Sequence, residues 1–128
     1  MKTQLLSLLL GCLMVPRAQA PEFHVIRIVL APSYVESRLL HGVAVTEGWY
    51  AENSLARRHN NPGCLINKRG DYARFSDAET GWIRLRNWFQ ERPAETVRES
   101  LEAFNPGIEG YAERVLAVAR LSGGERIR

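Results

Sequence analysis

Glu47 is the carboxylate whose neighbours could set it up for acid–base chemistry. Counting back from it, Ala44, Val43 and Leu40 fall at i−3, i−4 and i−7, the positions that share one side of a helix. Gly48 follows at once, a residue type that ends helices in the left-handed conformation, so the sequence predicts Glu47 in the last turn of a helix and facing inward. The carbonyl end of the helix dipole and partial burial both oppose a negative charge at such a place. A carboxyl group that keeps its proton can give it to a leaving oxygen, which is the task of the general acid in glycoside cleavage. The same spacing also fits a Glu exposed at a frayed helix end, or one paired with Arg57 or Arg58.

Two further groups next to Glu47 suit a sugar. Trp49 and Tyr50 come just after Gly48, and aromatic faces stack on the C–H surface of a sugar ring; they equally fill cores. Asn60-Asn61-Pro62-Gly63 is a turn, with Pro62 fixing φ at its first central position and Gly63 expected at positive φ at the second, the type II pattern. It presents two side-chain amides, Asn60 and Asn61, each a donor and an acceptor suited to hydroxyl and N-acetyl groups. The same amides also suit bonding the turn to itself.

The order of these pieces resembles a known family. A Glu-Gly at a helix end, an aromatic residue, about ten residues, Asn-Asn-Pro-Gly, a Phe and then a Gly-Trp helix look like the small lysozyme-like muramidases and lytic transglycosylases of phages and bacterial envelopes. Phe104-Asn105-Pro106-Gly107 followed by Tyr111 and Val115 is similar to the later aromatic-Asn-x-Gly and Tyr segment of that family, which lines the same cleft. The likeness spans Leu39 to Leu121. It implies a lysozyme-like fold, Glu47 as catalytic acid, and substrate contacts from Trp49, Tyr50, Asn60, Asn61, Phe104, Asn105 and Tyr111. It also implies peptidoglycan glycan strands as substrate, with no cofactor and no metal. Cys64 stands where relatives usually carry Asn, and Phe104 where many transglycosylases carry Tyr. The first departure bears on a substrate contact, the second on a hydroxyl near the acid.

The elements that must position these residues are mostly helical. Ser33 is the expected N-cap of the helix that ends at Glu47, with Gly42 inside it permitting a close contact. Upstream, Phe23 to Leu30 fits a strand or a helix lead-in. Ala51 to His59 reads as loop with one helical turn. Cys64 to Phe75 carries the marks of a small β-hairpin turning at Lys68-Arg69-Gly70-Asp71, where Arg69-Gly70-Asp71 is a turn and not an adhesion motif. Ser76 to Glu79 forms a capping box before a helix striped by Ala78, Trp82, Leu85 and Phe89, with Arg84 and Arg86 on the solvated face, where they can meet acidic peptide groups. Thr96 to Glu99 is a second capping box, before Val97, Leu101 and Phe104. A last helix over 108–121 is expected to bury Tyr111, Val115 and Val118, with a loose tail after Gly123-Gly124. With no βαβ alternation the fold class is α+β, mostly helical.

The chain has 128 residues, 45% of them hydrophobic, enough for one domain and one core. Residues 1–20 read as a secretory signal: Lys2, an apolar run from Leu5 to Val15, and Ala18-Gln19-Ala20 as the cleavage site, with residues 21–128 as the catalytic domain. The run is too short to span a bilayer. Losing Lys2 and Arg17 with this leader lowers the 17 basic residues to 15 against 14 acidic ones, so the net charge falls from +3 to +1. That near-neutral charge and the export signal disfavour nucleic acid as a partner. Cys64 is the only cysteine outside the leader, so no internal disulfide forms, and His24, His41 and His59 lack metal-ligand spacing. A periplasmic or secreted enzyme is the first expectation. The alternative is a non-catalytic module of the same shape that holds glycan, or serves an envelope-spanning secretion or conjugation assembly.

Overall fold

The computed structural model describes residues 33–92 and 94–127. The expected signal segment and the Phe23 to Leu30 run lie outside the described residues. Among the described residues the chain forms five helices: α1 (Tyr34–Thr46), α2 (Leu55–Arg58), α3 (Ala78–Gln90), α4 (Val97–Phe104) and α5 (Tyr111–Ala119).

Helix α1 starts where Ser33 Oγ accepts the Glu36 N–H at 3.1 Å. It stops in a Schellman motif: Trp49 N–H bonds Ala44 O at 2.9 Å and Gly48 N–H bonds Val45 O at 3.1 Å, with Gly48 at φ +88°. This stop fixes Glu47 as the C-cap and turns Trp49 into the core, where it meets Trp82 edge to face at 5.7 Å. Leu39, Leu40, Val43 and Ala44 are all fully buried. The main partner of α1 is α5, and the approach is close because Gly42 has no side chain: a Cβ there would lie 2.9 Å from Ala119 Cβ and from Val115 O. Arg38 Nε donates to Ala119 O at 2.6 Å, capping the carbonyl end of α5 from the side.

Several expectations change at the level of single elements. The expected hairpin contracts to one antiparallel bridge, Ile66 to Tyr72, and no β-strand forms among the described residues. Ile66 and Tyr72 are 55% and 47% exposed, so the pair has no buried face to reward a longer ladder. The cap of α3 is Asp77 and not Ser76, its carboxylate accepting the Thr80 N–H at 2.8 Å. Arg86 is not on a solvated face but pairs at 3.1 Å with Glu36, a fully buried carboxylate of α1 that also accepts from Gln90 at 2.7 Å. Helix α5 begins at Tyr111 and not near 108, and its buried face is Tyr111, Ala112, Val115, Leu116 and Ala119, which leaves Val118 outward and 40% exposed. The tail is tied down: Glu125 O and Gly123 O accept the Val97 and Arg98 N–H groups at 2.8 and 3.0 Å, satisfying donors that the first turn of α4 cannot pair itself.

No helix among the described residues is long and apolar enough to cross a membrane.

Candidate active site

Helix α2 also ends in a Schellman motif, and that geometry decides what the Asn60 to Gly63 turn does. Asn61 N–H bonds Ala56 O at 2.8 Å and Asn60 N–H bonds Arg57 O at 3.2 Å, with Asn60 in the left-handed position at φ +53°. Positive φ therefore falls on Asn60 and, after the turn, on Cys64 at +49°, while Gly63 is not left-handed and the expected type II turn is absent. Gly63 is required for a different reason. A Cβ on it would stand 2.4 Å from Leu85 Cδ1, and one on Gly81 would stand 2.0 Å from Asn60 O, so two glycines let the turn lie flush on α3.

The two amides both bond to the protein, Asn61 from full burial and Asn60 from a partly exposed position. Asn61 is fully buried; its Nδ2 donates to Leu65 O at 3.0 Å and Ala73 O at 2.9 Å, and its Oδ1 accepts the Leu65 N–H at 2.8 Å. Asn60 Nδ2 donates to Phe75 O at 3.1 Å. Both side chains pin the 64–75 loop to the turn, and full burial of Asn61 corrects its expected role as a sugar contact. Trp49 is likewise a core residue, 1% exposed, and Tyr50 is half-buried with its hydroxyl 3.4 Å from His41 Nδ1. Neither lines the cleft beside Glu47.

That cleft has a volume of about 360 Å³. Glu47 and Gly63 to Ile66 form one side of it with Tyr72; Trp88 of α3 and Arg92 just past its end, and Phe104 with Asn105 at the end of α4, form the other. Among the described residues Asn105 is the one side-chain amide on its wall, and Glu47 is the one carboxylate. Phe104 and Asn105 thus both line the cleft that holds Glu47. Tyr111 is reached from behind the wall: it is 3% exposed, and its hydroxyl donates to Glu47 Oε2 at 2.7 Å. An aromatic column holds it there, Phe89 stacked on Phe104 at 5.1 Å and Phe104 on Tyr111 at 6.1 Å, with Trp88 edge-on to Phe104 at 4.8 Å. Phe104 has no hydroxyl, and Tyr111 supplies one beside Glu47.

The electrostatics follow from burial around Glu47. Burial first, and then the hydrogen bond to Glu47, push the Tyr111 phenol well above its ordinary range, so it stays a proton donor to the carboxylate. Burial and the nearby Glu47 charge push the Cys64 thiol up to about 12, and its Sγ lies 3.8 Å from the Glu47 backbone oxygen. A thiol held neutral in this way is a poor nucleophile. Among the described residues Glu47 is thus the carboxylate on this wall, and the Tyr111 hydroxyl holds it through Oε2.

Sequence reasoning passed over Trp88 and Arg92. Trp88 sits next to Phe89, on the shoulder of the α3 stripe, and Arg92 follows it at i+4 with its guanidinium 4.4 Å from the ring centre. An aromatic just off a core stripe, with an Arg one turn on, was the available signal. Among the described residues no group of three or more His, Cys, Asp or Glu side chains could hold a metal ion. Compared with known protein families, curated proteins and solved structures, the chain gave no match.

Proposed function

We propose that the protein is an exported peptidoglycan lytic transglycosylase, cutting the β-1,4 bond between N-acetylmuramic acid and N-acetylglucosamine with Glu47 as general acid and then base. The observation that carries this reading is a single carboxylate on the wall of an aromatic-sided cleft, held through one oxygen by a buried hydroxyl, Tyr111 to Glu47 Oε2 at 2.7 Å. Since Tyr111 occupies Oε2, the transferable proton belongs on Oε1.

In the first step Glu47 protonates the glycosidic oxygen as the C1–O bond breaks, leaving an oxocarbenium-like sugar. In the second, the carboxylate takes the proton of that sugar's own 6-hydroxyl, whose oxygen attacks C1 and closes a 1,6-anhydro ring. No water enters, and one carboxylate suffices for both steps. A hydrolase of the ordinary kind uses a second carboxylate, roughly 5 to 9.5 Å from the first according to stereochemistry. Among the described residues the wall offers none, which favours the intramolecular route. Phe104 and Trp88 supply apolar faces for sugar rings and Asn105 an amide for their polar groups.

The second reading is a non-catalytic module of the same shape that holds glycan or docks to an envelope-spanning secretion or conjugation assembly. It is favoured by the scarcity of polar groups at the cleft, where Cys64 is a neutral thiol and Asn60 and Asn61 are used on the backbone. Incubation with purified sacculi separates the two: the enzyme releases soluble fragments ending in anhydro sugars, whereas the module binds the sacculi and releases nothing.

A further inference from the structure

The cleft at Glu47 does not end at Trp88. A second cavity of about 420 Å³, a size that ordinary ligand sites have, shares Leu65, Ile66, Trp88 and Arg92 with it and extends along α3 to Asn87 and Arg84. Two guanidinium groups flank this space. Arg92 lies over the Trp88 ring at 4.4 Å and donates from Nη1 to Trp88 O at 3.1 Å; Arg84 lies over the Phe75 ring at 5.4 Å. Stacking on a ring holds a guanidinium in place and leaves its forked donors available. Neither Arg84 nor Arg92 is paired with a carboxylate among the described residues, whereas Arg69, Arg86, Arg98 and Arg126 each are. Among the described residues Glu91 is the one acidic group on the same walls, so two positive charges meet one negative, with the Asn87 amide beside them.

We infer that this second cavity seats a carboxylate-bearing peptide branch of the glycan strand, with Arg84 and Arg92 gripping its carboxylates. The inference rests on the reading that a glycan strand occupies the adjoining cleft. A peptidoglycan strand carries its peptide on the lactyl group of the muramic ring, so a branch leaves the sugar chain within a few bonds of the bond that Glu47 would cut. Planar guanidinium groups match carboxylates two bonds at a time, and Asn87 and Glu91 offer partners to peptide amides. Peptide-bearing strands are then the preferred substrate over naked ones.

The test uses two soluble substrates: glycan strands with their peptides, and the same strands after an amidase has removed them. The stripped strands keep the lactyl carboxylate, so a difference reports the peptide. Cutting is followed as kcat/KM on each, and binding is measured in parallel by calorimetry on Glu47→Gln protein, which does not consume the strands. The protein prefers peptide-bearing strands by about tenfold or more, as expected for a charge-assisted pair. Arg84→Gln, on the far side of the second cavity from Glu47, brings that preference to within about twofold while cutting stripped strands as before, and Arg84→Lys recovers part of it. Melting curves confirm that the variants fold. Equal treatment of both substrates by the unaltered protein, or a preference that survives Arg84→Gln, overturns the inference while leaving cleavage by Glu47 standing. If neither substrate is cut, cleavage is wrong, and the binding preference alone decides the inference by the same two criteria.

Discussion

Replacing Asn61 by Ala distinguishes a structural amide from a ligand-facing one, and the structure supplies the magnitude. The side chain is fully buried and makes three hydrogen bonds to backbone, at 2.8, 2.9 and 3.0 Å, two of them to Leu65 and one to Ala73. Each bond is worth about 1 kcal/mol net, so the loss comes to about 3 kcal/mol, and any of the three backbone groups left without water adds to it. For a domain of this size that is a fall in Tm of roughly 10 °C or more. Asn60→Ala, which removes one bond to Phe75 O, costs only about 1 kcal/mol. Urea unfolding of both variants, followed by tryptophan fluorescence, reads the two values against the unaltered protein. Asn61→Asp is worse than Ala at neutral pH, because it points a carboxylate at two carbonyl oxygens. A change below about 0.5 kcal/mol for Asn61→Ala, the range of ordinary surface substitutions, would refute the reasoning, the more so if glycan binding were lost at the same time.

Other perturbations follow from the same geometry. Gly81→Ala places a Cβ 2.0 Å from Asn60 O, so it displaces the turn and costs about 1 to 3 kcal/mol or more, measurable by thermal unfolding. Tyr111→Phe keeps the aromatic column but frees Glu47 Oε2, and fragment release from sacculi falls by roughly ten- to a hundredfold while the fold persists. Glu125 accepts backbone N–H groups of Ser122 and Gly123, and the Ser122 bond above all holds its carboxyl down at about 2, below the ordinary 4.5. A lowered folded-state value means stability present above pH 4.5 and lost as pH falls toward 2, so acid unfolding curves of Glu125→Gln lose that component and the unaltered protein keeps it.

Helix starts and stops were the most legible part of the sequence, because each depends on a few adjacent residues. Ser33, Thr96 and Gly48 act as expected, through local bonds. The periodicity that singled out Glu47 was less discriminating than it looked: Glu36 lies on the same stripe, four residues before Leu40 and eleven before Glu47. Glu36 is fully buried and tied to Arg86 and Gln90 of α3, partners fifty or more residues away that no local pattern displays. Glu47 differs in lying at the helix end, where the chain opens on the cleft. The turn was misread for a related reason. Asn and Gly were assigned by turn propensity, whereas Gly63 and Gly81 answer to the approach of α3, a contact set by tertiary packing. The tail and the outward Val118 depended likewise on where α4 and α5 meet, which spacing within one helix leaves open.

Substituting Glu47 by Gln tests the central claim most directly. The amide matches the carboxylate in size and can still accept from Tyr111, so folding is kept and acid–base chemistry is lost. Purified sacculi are incubated with each protein at equal native fraction, and the released fragments are weighed by mass spectrometry. The unaltered protein releases muropeptides each one water lighter than a hydrolysis product, and Glu47→Gln lowers the rate by about 10² to 10⁴, the share that general acid catalysis supplies. Fragment release by Glu47→Gln at the unaltered rate would contradict the account.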